Sequence, residues 1–209
     1  MSDILRRAPA RRLIVLAAVL ALSACGGKKA APAGPPPPTA VAPMDLGGQQ
    51  VVILPVQQAT GVGFNREQIT AEIVTALQAR DSVTQWITPD RLRHLLRQSP
   101  GYAPDPAALP NDSYQSHGER RVAGALADPI RRYAALTRAR LVVITRSAVA
   151  LSDSTGTRVR LTAAVVDART GLLVWWGDAD GQPAAADDRA GIVSAAEALA
   201  RRMVVAYSR

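Results

Sequence analysis

The chain has a single cysteine, Cys25, and only two histidines, His94 and His117. A disulfide framework needs several cysteines, so none can form within this chain. The two histidines lie 23 positions apart with no cysteine near either, a spacing that fits no standard zinc site. The sequence therefore predicts neither a metal nor a cofactor, and it offers no thiol chemistry in the folded domain.

Lysine and aromatic residues are also scarce. The only lysines are Lys28 and Lys29, and aromatic residues make up 4% of the chain. Surfaces that bind nucleic acid usually combine clustered basic residues with aromatic side chains that stack on bases. The arginines of this chain are scattered instead, so we expect no nucleic-acid partner despite a formal net charge of +8.

The N-terminal region has no apolar run long enough to span a membrane. Its apolar run, residues 13–22, is about half of the roughly 20 residues that a spanning helix needs. A basic stretch precedes the run and Leu-Ser-Ala-Cys follows it at 22–25, which is typical of a secretory signal peptide. The last four residues resemble the lipobox of bacterial lipoproteins. That resemblance implies cleavage between Ala24 and Cys25 and a diacylglycerol on Cys25.

The chain is therefore predicted to have three parts: a signal peptide at 1–24, a tether at 25–48 and a periplasmic domain at 49–209. The tether is rich in glycine, alanine and proline and includes four consecutive prolines, a composition that favours extended chain over a packed core. Position 26 is glycine rather than aspartate. In the sorting pattern of bacterial lipoproteins this implies an anchor in the outer membrane, facing the periplasm.

Short apolar, β-branched runs predict five strands. Each run is either continuously apolar or alternates apolar and polar residues, as buried and half-buried strands do. The runs are residues 50–56, 83–87, 140–145, 158–165 and 172–176. The last two flank Asp167-Ala-Arg-Thr-Gly171, whose first aspartate and last glycine favour a type I turn with a left-handed final residue. These two strands are therefore predicted to form a hairpin.

Four further segments carry helix signals. Asn65 lies three residues before Gln68, as in a capping box, and begins a predicted helix that ends near Arg80. The next helices begin at Thr88-Pro89-Asp90, at Asp128-Pro129 and near Ile192. The order of elements predicts an α/β (α+β) sandwich with a mixed sheet of about five strands flanked by helices.

Residues 99–118 interrupt this pattern with several prolines and glycines. Irregular segments of this length are uncommon in compact domains and are usually functional or disordered. We therefore expect an irregular excursion without helix or strand here.

The lipobox, the tether, the element order and the hairpin together resemble a group of small outer-membrane lipoproteins. The most similar stretch is Val-Val-Asp-Ala-Arg-Thr-Gly-Leu-Leu-Val-Trp at 165–175, with a D-x-x-T-G turn and an aromatic residue on the return strand. The group includes the curli-secretion lipoprotein, the lipoprotein activator of penicillin-binding proteins and the N-terminal domain of the Tol-system propeller protein. The resemblance covers roughly residues 50–205. It implies the shared fold and a role in protein–protein contact without catalytic residues.

Four aromatic residues are the candidates for partner binding: Trp175, Trp176, Tyr102 and Tyr114. The two tryptophans are adjacent on a predicted strand, so their side chains point to opposite faces. One therefore belongs to the core. The other either packs under a helix or stands on an exposed face, where an aromatic residue can anchor a partner.

Three other groups of residues have alternative interpretations. Asp178, Asp180, Asp187 and Asp188 could hold calcium or act as an acid/base pair, but capping of the last helix and a solvated turn are favoured. Asp112, Ser113 and His117 supply triad residue types in a loop without rigid positioning. Arginines at positions 131, 132, 138 and 140 either form a basic face for anionic lipid or cell-wall polymer, or simply solvate a helix.

The leading hypothesis is a lipid-anchored periplasmic module that binds another envelope protein, as an adaptor or activator in cell-envelope or cell-wall assembly. The alternative is a structural subunit that associates with copies of itself in an oligomeric envelope or secretion complex. A hydrolase is the least favoured class, because no polar constellation has sensible catalytic spacing.

Overall fold

The computed structural model describes residues 41–110, 120–122, 124–154, 156–185 and 187–207. These residues form one mixed, six-stranded β-sheet with helices on both faces, an open-sheet α+β fold. The strands are β1 (Gln50–Ile53), β2 (Gln58–Thr60), β3 (Gln85–Ile87), β4 (Leu141–Asp153), β5 (Gly156–Asp167) and β6 (Leu172–Asp180). The helices are α1 (Arg66–Arg80), α2 (Pro89–Gln98), α3 (Gly124–Thr137) and α4 (Arg189–Met203). No helix in the described ranges combines the length and the apolar character that crossing a membrane requires.

The strand order across the sheet is β3-β1-β4-β5-β6. Strand β1 lies parallel to both β3 and β4, whereas β5 is antiparallel to both β4 and β6. The short strand β2 pairs in parallel with the second half of β4. The parallel half therefore carries the helical crossovers, and the antiparallel half is a three-stranded meander that ends at the free edge formed by β6.

Two hydrophobic cores lie on opposite faces of the sheet. In β1, Val51 and Ile53 face the first core, which α1 and α4 cover. Val52, together with Leu54 directly after the strand, faces the second core with α2 and α3. All four residues are fully buried. Because both faces of β1 are covered, its sequence is continuously apolar rather than alternating.

The hairpin between β5 and β6 confirms the predicted turn. Asp167 Oδ1 accepts hydrogen bonds from the backbone amides of Arg169 and Thr170 at 3.0 and 3.1 Å, and its Oδ2 accepts one from Arg140 Nε at 2.7 Å. Gly171 has a φ of +72°, the left-handed conformation predicted for the last turn residue. The turn fixes the register of β6, which carries the candidate tryptophans.

Both predicted helix starts at Asn65 and Thr88 are confirmed. Asn65 Oδ1 accepts from the Gln68 amide at 2.8 Å while Gln68 Oε1 accepts from the Asn65 amide at 3.1 Å. Thr88 caps α2, which has proline in its first turn. Helix α3 differs from the prediction, because it begins at Gly124 and has Pro129 inside. The buried side chains of Leu126 and Ala127 pack in the second core, and this packing stabilises a turn that lies before the proline.

Three further boundaries differ from the sequence predictions. Strand β2 was not predicted, because three residues carry too little periodicity. Strand β4 extends to Asp153, eight residues beyond the predicted end at Thr145. Residues 41–48 pack on the domain instead of belonging to the tether: Leu46 is fully buried, and Met44 pairs with Val204. Among the described residues, the folded unit therefore begins before β1, at residue 41.

The first half of the predicted excursion is ordered by tertiary contacts. Pro106 and Leu109 are buried, Gln57 Nε2 donates to the Pro106 carbonyl at 3.2 Å, and Tyr133 Oη donates to the Pro104 carbonyl at 2.8 Å. A short 3-10 turn, Pro106–Ala108, is its only regular piece within 99–110. Residues 111–118 of the excursion lie outside the described residues.

Candidate partner-binding surface

The two adjacent tryptophans of β6 have different environments. Trp175 is 1% exposed and belongs to the first core. Trp176 points to the other face and is partly exposed, with the Arg120 guanidinium carbon 5.3 Å from its ring centroid. This distance is within the range of a cation–π contact. Burial thus removes Trp175 from the set of surface candidates, and Trp176 is the tryptophan that a partner can reach.

Of the remaining predicted site residues, Tyr102 lies on the described surface and the others lie outside the described residues. Tyr102 is 41% exposed in the segment after α2, where its carbonyl accepts a hydrogen bond from Arg132 at 2.9 Å. Trp176 and Tyr102 are thus held by different arginines on different segments. Tyr114, Ala24 and Cys25 lie outside the described residues, as do Asp112, Ser113 and His117.

The helices cover only part of the sheet face that carries Trp176. Helices α2 and α3 pack over β1 and the first half of β4, where Val142 and Ile144 are fully buried. Farther along the meander, the register aligns Ile144 with Ala164 and Trp176, then Ser147 with Thr162 and Asp178, then Val149 with Arg160 and Asp180. The last two rows lie beyond the second core, and their side chains are exposed or partly exposed. We call Val149, Arg160, Thr162, Trp176 and Asp178 the open sheet face.

Charged side chains on the open sheet face are paired with each other. Arg160 binds both carboxylate oxygens of Asp180, at 2.6 and 2.8 Å, and its Nε lies 3.9 Å from Asp178. The hydrogen bond from Arg160 lowers the pKa of Asp180 below its usual range, against the opposing effect of burial. The same bond raises the pKa of Arg160. This ion pair forms a polar border of the open sheet face, two rows along the strands from Trp176.

The acidic residues near the hairpin therefore have structural roles. Asp188 caps α4 by accepting from the Ala190 amide at 2.9 Å, as predicted. Asp178 and Asp180 lie on β6 rather than in the solvated turn that we expected, because the strand runs farther than its apolar residues. Across the described ranges, no group of three or more potential metal ligands comes together.

Strand β6 forms one edge of the sheet. Its first residues are bordered by residues 120–122, since the Leu173 amide donates to the Arg120 carbonyl at 2.7 Å and Arg121 pairs with Leu172. Beyond Leu173, β5 is the only strand that pairs with β6 in the described part of the chain. Leu172 and Val174 on this edge are 36% and 38% exposed. An open strand edge with exposed apolar residues can pair with another chain.

Two contacts of this surface were missed by sequence reasoning. The stacking of Arg120 on Trp176 joins residues 56 positions apart, and no sequence pattern indicates it. The pairing of Arg160 with Asp180 could have been predicted from the sequence, because the two residues lie at similar distances from the predicted turn on opposite arms of the hairpin.

Comparisons with known proteins give only distant likenesses. No protein-family model matches the sequence, and no curated protein matches it. Among solved structures, the LpoB C-terminal domain from Escherichia coli aligns with a TM-score of 0.46 and 18% identity, covering 68% of this chain and 87% of that one. A PelC dodecamer from Paraburkholderia phytofirmans, in a single-substitution variant, gives 0.44 and 15%, covering 80% and 95%. Lipoprotein GNA1162 from Neisseria meningitidis gives 0.38 and 14%, covering 69% and 87%.

At this level of similarity these likenesses assign no function to this chain. The likeness to the curli-secretion lipoprotein and to the Tol propeller protein stays a prediction from the sequence.

Proposed function

We propose that this protein is a lipid-anchored periplasmic interaction module, which binds another envelope protein as an adaptor or activator in cell-envelope or cell-wall assembly. The observation that carries the proposal is the open sheet face. The other side of the sheet is covered by α1 and α4. On this side Trp176, partly exposed and stacked by Arg120, lies beside two rows of β4, β5 and β6 that none of the described helices covers. Tryptophan and arginine are the residue types that dominate binding energy at protein interfaces.

The open sheet face suits a protein surface better than a small molecule. It is a broad strip of mixed polarity, with Arg160 and Asp178 each 45% exposed around a partly buried aromatic ring. Interface cores are typically aromatic, and their rims are polar and hydrogen-bonded. Trp176 is the anchor in this arrangement, and the Arg160–Asp180 fork is the rim.

The cellular location in this proposal is based on the N-terminal sequence. Lipidation of Cys25 holds the protein at the periplasmic face of the outer membrane, and the proline-rich tether lets the domain stand away from the lipid surface. No catalytic role is proposed.

Site-specific photocrosslinking in intact cells tests the proposal. A benzoylphenylalanine at Thr162, in the centre of the open sheet face, should crosslink to a discrete envelope protein. The same probe at Val205, which is 38% exposed beyond α4, is the control and should not. Trp176→Ala should abolish the Thr162 crosslink, and Cys25→Ala should reduce it because the domain loses its anchor. Equal products from both probe positions would contradict a defined binding face.

The edge of β6 supports a second candidate, a structural subunit that associates with copies of itself. Val174 is exposed on this edge, and a lysine there places a charge where another strand would pair. Val205→Lys is the matched control, because both valines are 38% exposed. If the protein is an oligomer built on this edge, Val174→Lys lowers the mass measured by light scattering and Val205→Lys does not. A monomeric wild-type protein would rule this candidate out.

A further inference from the structure

Four arginines converge on a shallow cavity away from the open sheet face. The cavity has a volume of about 550 Å³ and lies between the C-terminal end of α3 and the turn of the β5–β6 hairpin. Its floor includes buried Ala134, Ala139 and Ala168. The arginines around it are Arg131, Arg138, Arg140 and Arg169. We call this site the arginine cavity.

Only part of the positive charge in the arginine cavity is neutralised. Arg131 pairs with Asp128 at 3.1 Å, and Arg140 pairs with Asp167 at 2.7 Å. The guanidinium groups of Arg138 and Arg169 have no acceptor among the residues that the structure describes. Four cations against two carboxylates leave a net positive charge at the cavity mouth, which attracts an anion.

The backbone at Arg138 gives an independent reason to assign a role to its side chain. The Ala139 amide donates to the Ala134 carbonyl at 3.0 Å and the Arg138 amide donates to the Ala135 carbonyl at 3.4 Å, which is the Schellman ending of a helix. Arg138 holds the left-handed position of this motif with a φ of +56°, and it is the only described residue other than glycine with a positive φ. Glycine takes this conformation without strain, whereas an arginine here strains the backbone, and such an outlier points to a role for the side chain.

The chemistry of the site fits phosphate. Guanidinium groups bind phosphate and carboxylate oxygens through paired N–H donors. Here the groups line one cavity from three segments, the helix, the loop after it and the hairpin turn. A tetrahedral phosphate presents oxygens in several directions, whereas a carboxylate presents two in one plane. The methyl groups of the alanine floor accommodate an apolar portion next to the anion.

We propose that the arginine cavity binds a phosphate group, carried either by a soluble phosphate ester or by the head group of an anionic phospholipid. This site is separate from the open sheet face and does not depend on the function proposed there.

Calorimetry and vesicle binding test the site with the full chain carrying Cys25→Ala, which has no lipid of its own. Glycerol 3-phosphate is the soluble probe. Vesicles of phosphatidylcholine, with or without phosphatidylglycerol, are the membrane probe. The site variant is Arg138→Gly with Arg169→Gln, and the matched control is Arg97→Gln with Arg201→Gln, which removes the same charge from exposed positions on α2 and α4.

The site variant should weaken binding at least tenfold, because each charge-assisted contact contributes about one to two orders of magnitude in affinity. The control should change it little. Loss of glycerol 3-phosphate binding assigns a soluble ester, whereas loss confined to phosphatidylglycerol vesicles assigns a lipid head group. The thermal midpoint of Arg138→Gly should stay the same or rise, which separates a binding role from a structural one.

Three results would overturn the proposal. The first is the absence of any binding by both probes. The second is an equal loss in the control variant, which would mean that net charge alone attracts the anion. The third is tighter binding of polyglutamate than of phosphate, which would assign the cavity to carboxylates.

Discussion

Asp167 shows how one buried carboxylate organises the hairpin. Its side chain is 4% exposed and accepts from Arg140 and from two backbone amides of the turn. Burial alone would raise its pKa, but the Arg140 bond and the two amide bonds outweigh burial and lower it. The charged form is therefore bound more tightly in the folded protein than in the unfolded chain.

The lowered pKa of Asp167 sets the sign of a pH effect. The stabilisation is complete above the unfolded pKa, near 4, and is lost as the pH falls through the lower folded pKa. Asp167→Asn should reduce the free energy of unfolding by about 1–3 kcal/mol at neutral pH, because hydrogen bonds to a charged group are lost. Urea unfolding at neutral and acid pH measures both the loss of stability in the variant and the pH dependence of stability. A variant as stable and as acid-sensitive as the wild type would contradict this role.

The adjacent tryptophans of β6 should separate stability from binding. Trp175→Ala removes a fully buried side chain from the first core and should cost about 3–5 kcal/mol of unfolding free energy. Trp176→Ala should cost much less, because its ring is partly exposed, yet it should abolish the crosslink at the open sheet face. Chemical denaturation and crosslinking of the same two variants provide the measurement. Reversed effects would mean that the two faces of β6 are misassigned.

At the scale of elements, the start of helix α1 was predicted correctly from a local sequence signal, its capping box. Its capping box satisfies two backbone amides that no helical carbonyl can reach. The other end is closed by Asp81, which is fully buried and accepts from the amides of Val83 and Thr84. The sequence predicted the first end from residue spacing, whereas the role of Asp81 depends on burial that only the fold creates.

The capping box of α1 has a measurable contribution. Asn65→Ala should lower the free energy of unfolding by about 0.5–2 kcal/mol, the usual range for loss of an N-cap side chain. Asn65→Asp should restore most of it, since aspartate also accepts from the Gln68 amide and favours the positive end of the helix dipole. Thermal unfolding of the three proteins tests this order. Equal stability of the alanine variant would show that the amides find other acceptors.

The strands of the meander show where local sequence patterns do not predict the structure. The apolar alternation of β5 predicted a strand, and it is confirmed. The second half of β4 and the end of β6 mix apolar and polar residues, and they are strands because they pair with β5 over residues 156–167 and 160–167, respectively. These extensions contribute Val149 and Asp178 to the open sheet face. The other three residues of that face lie in strands that the sequence predicted, so patterning indicated the centre of the face but not its full extent.

At the scale of the whole molecule, residues before the first strand belong to the folded unit. Leu46 is fully buried in the first core, and Tyr207 Oη near the other end of the chain donates to Asp45 at 2.9 Å. The segment also pairs with the residue after α4, through Met44 and Val204. Packing of the two ends against each other closes the α1/α4 side of the domain.

This packing predicts a strong effect at a position that composition assigned to the tether. Leu46→Ala should reduce the free energy of unfolding by about 2–5 kcal/mol, as for other buried leucines. Pro43→Ala, at an exposed neighbouring position, is the control and should change it by less than about 0.5 kcal/mol. Urea unfolding of both variants measures the difference. If both variants matched the wild type, the folded unit would begin after residue 46.

Local features whose signals lie within a few residues could be predicted from the sequence. These are the caps of α1 and α2, the hairpin turn with its left-handed Gly171, the apolar strands and the mixed-sheet class. Turn chemistry, capping and periodicity act over short distances and can be read from neighbouring residues.

The coverage of side chains depends on the assembled fold. The fold placed Trp175 inside and Trp176 outside, extended β4 to Asp153 and β6 to Asp180, and packed residues 99–110 against the second core. It also brought Arg169 to the end of α3 beside Arg138. Each of these outcomes depends on contacts between distant segments, because burial and strand pairing are properties of the assembled sheet and not of any single segment of sequence.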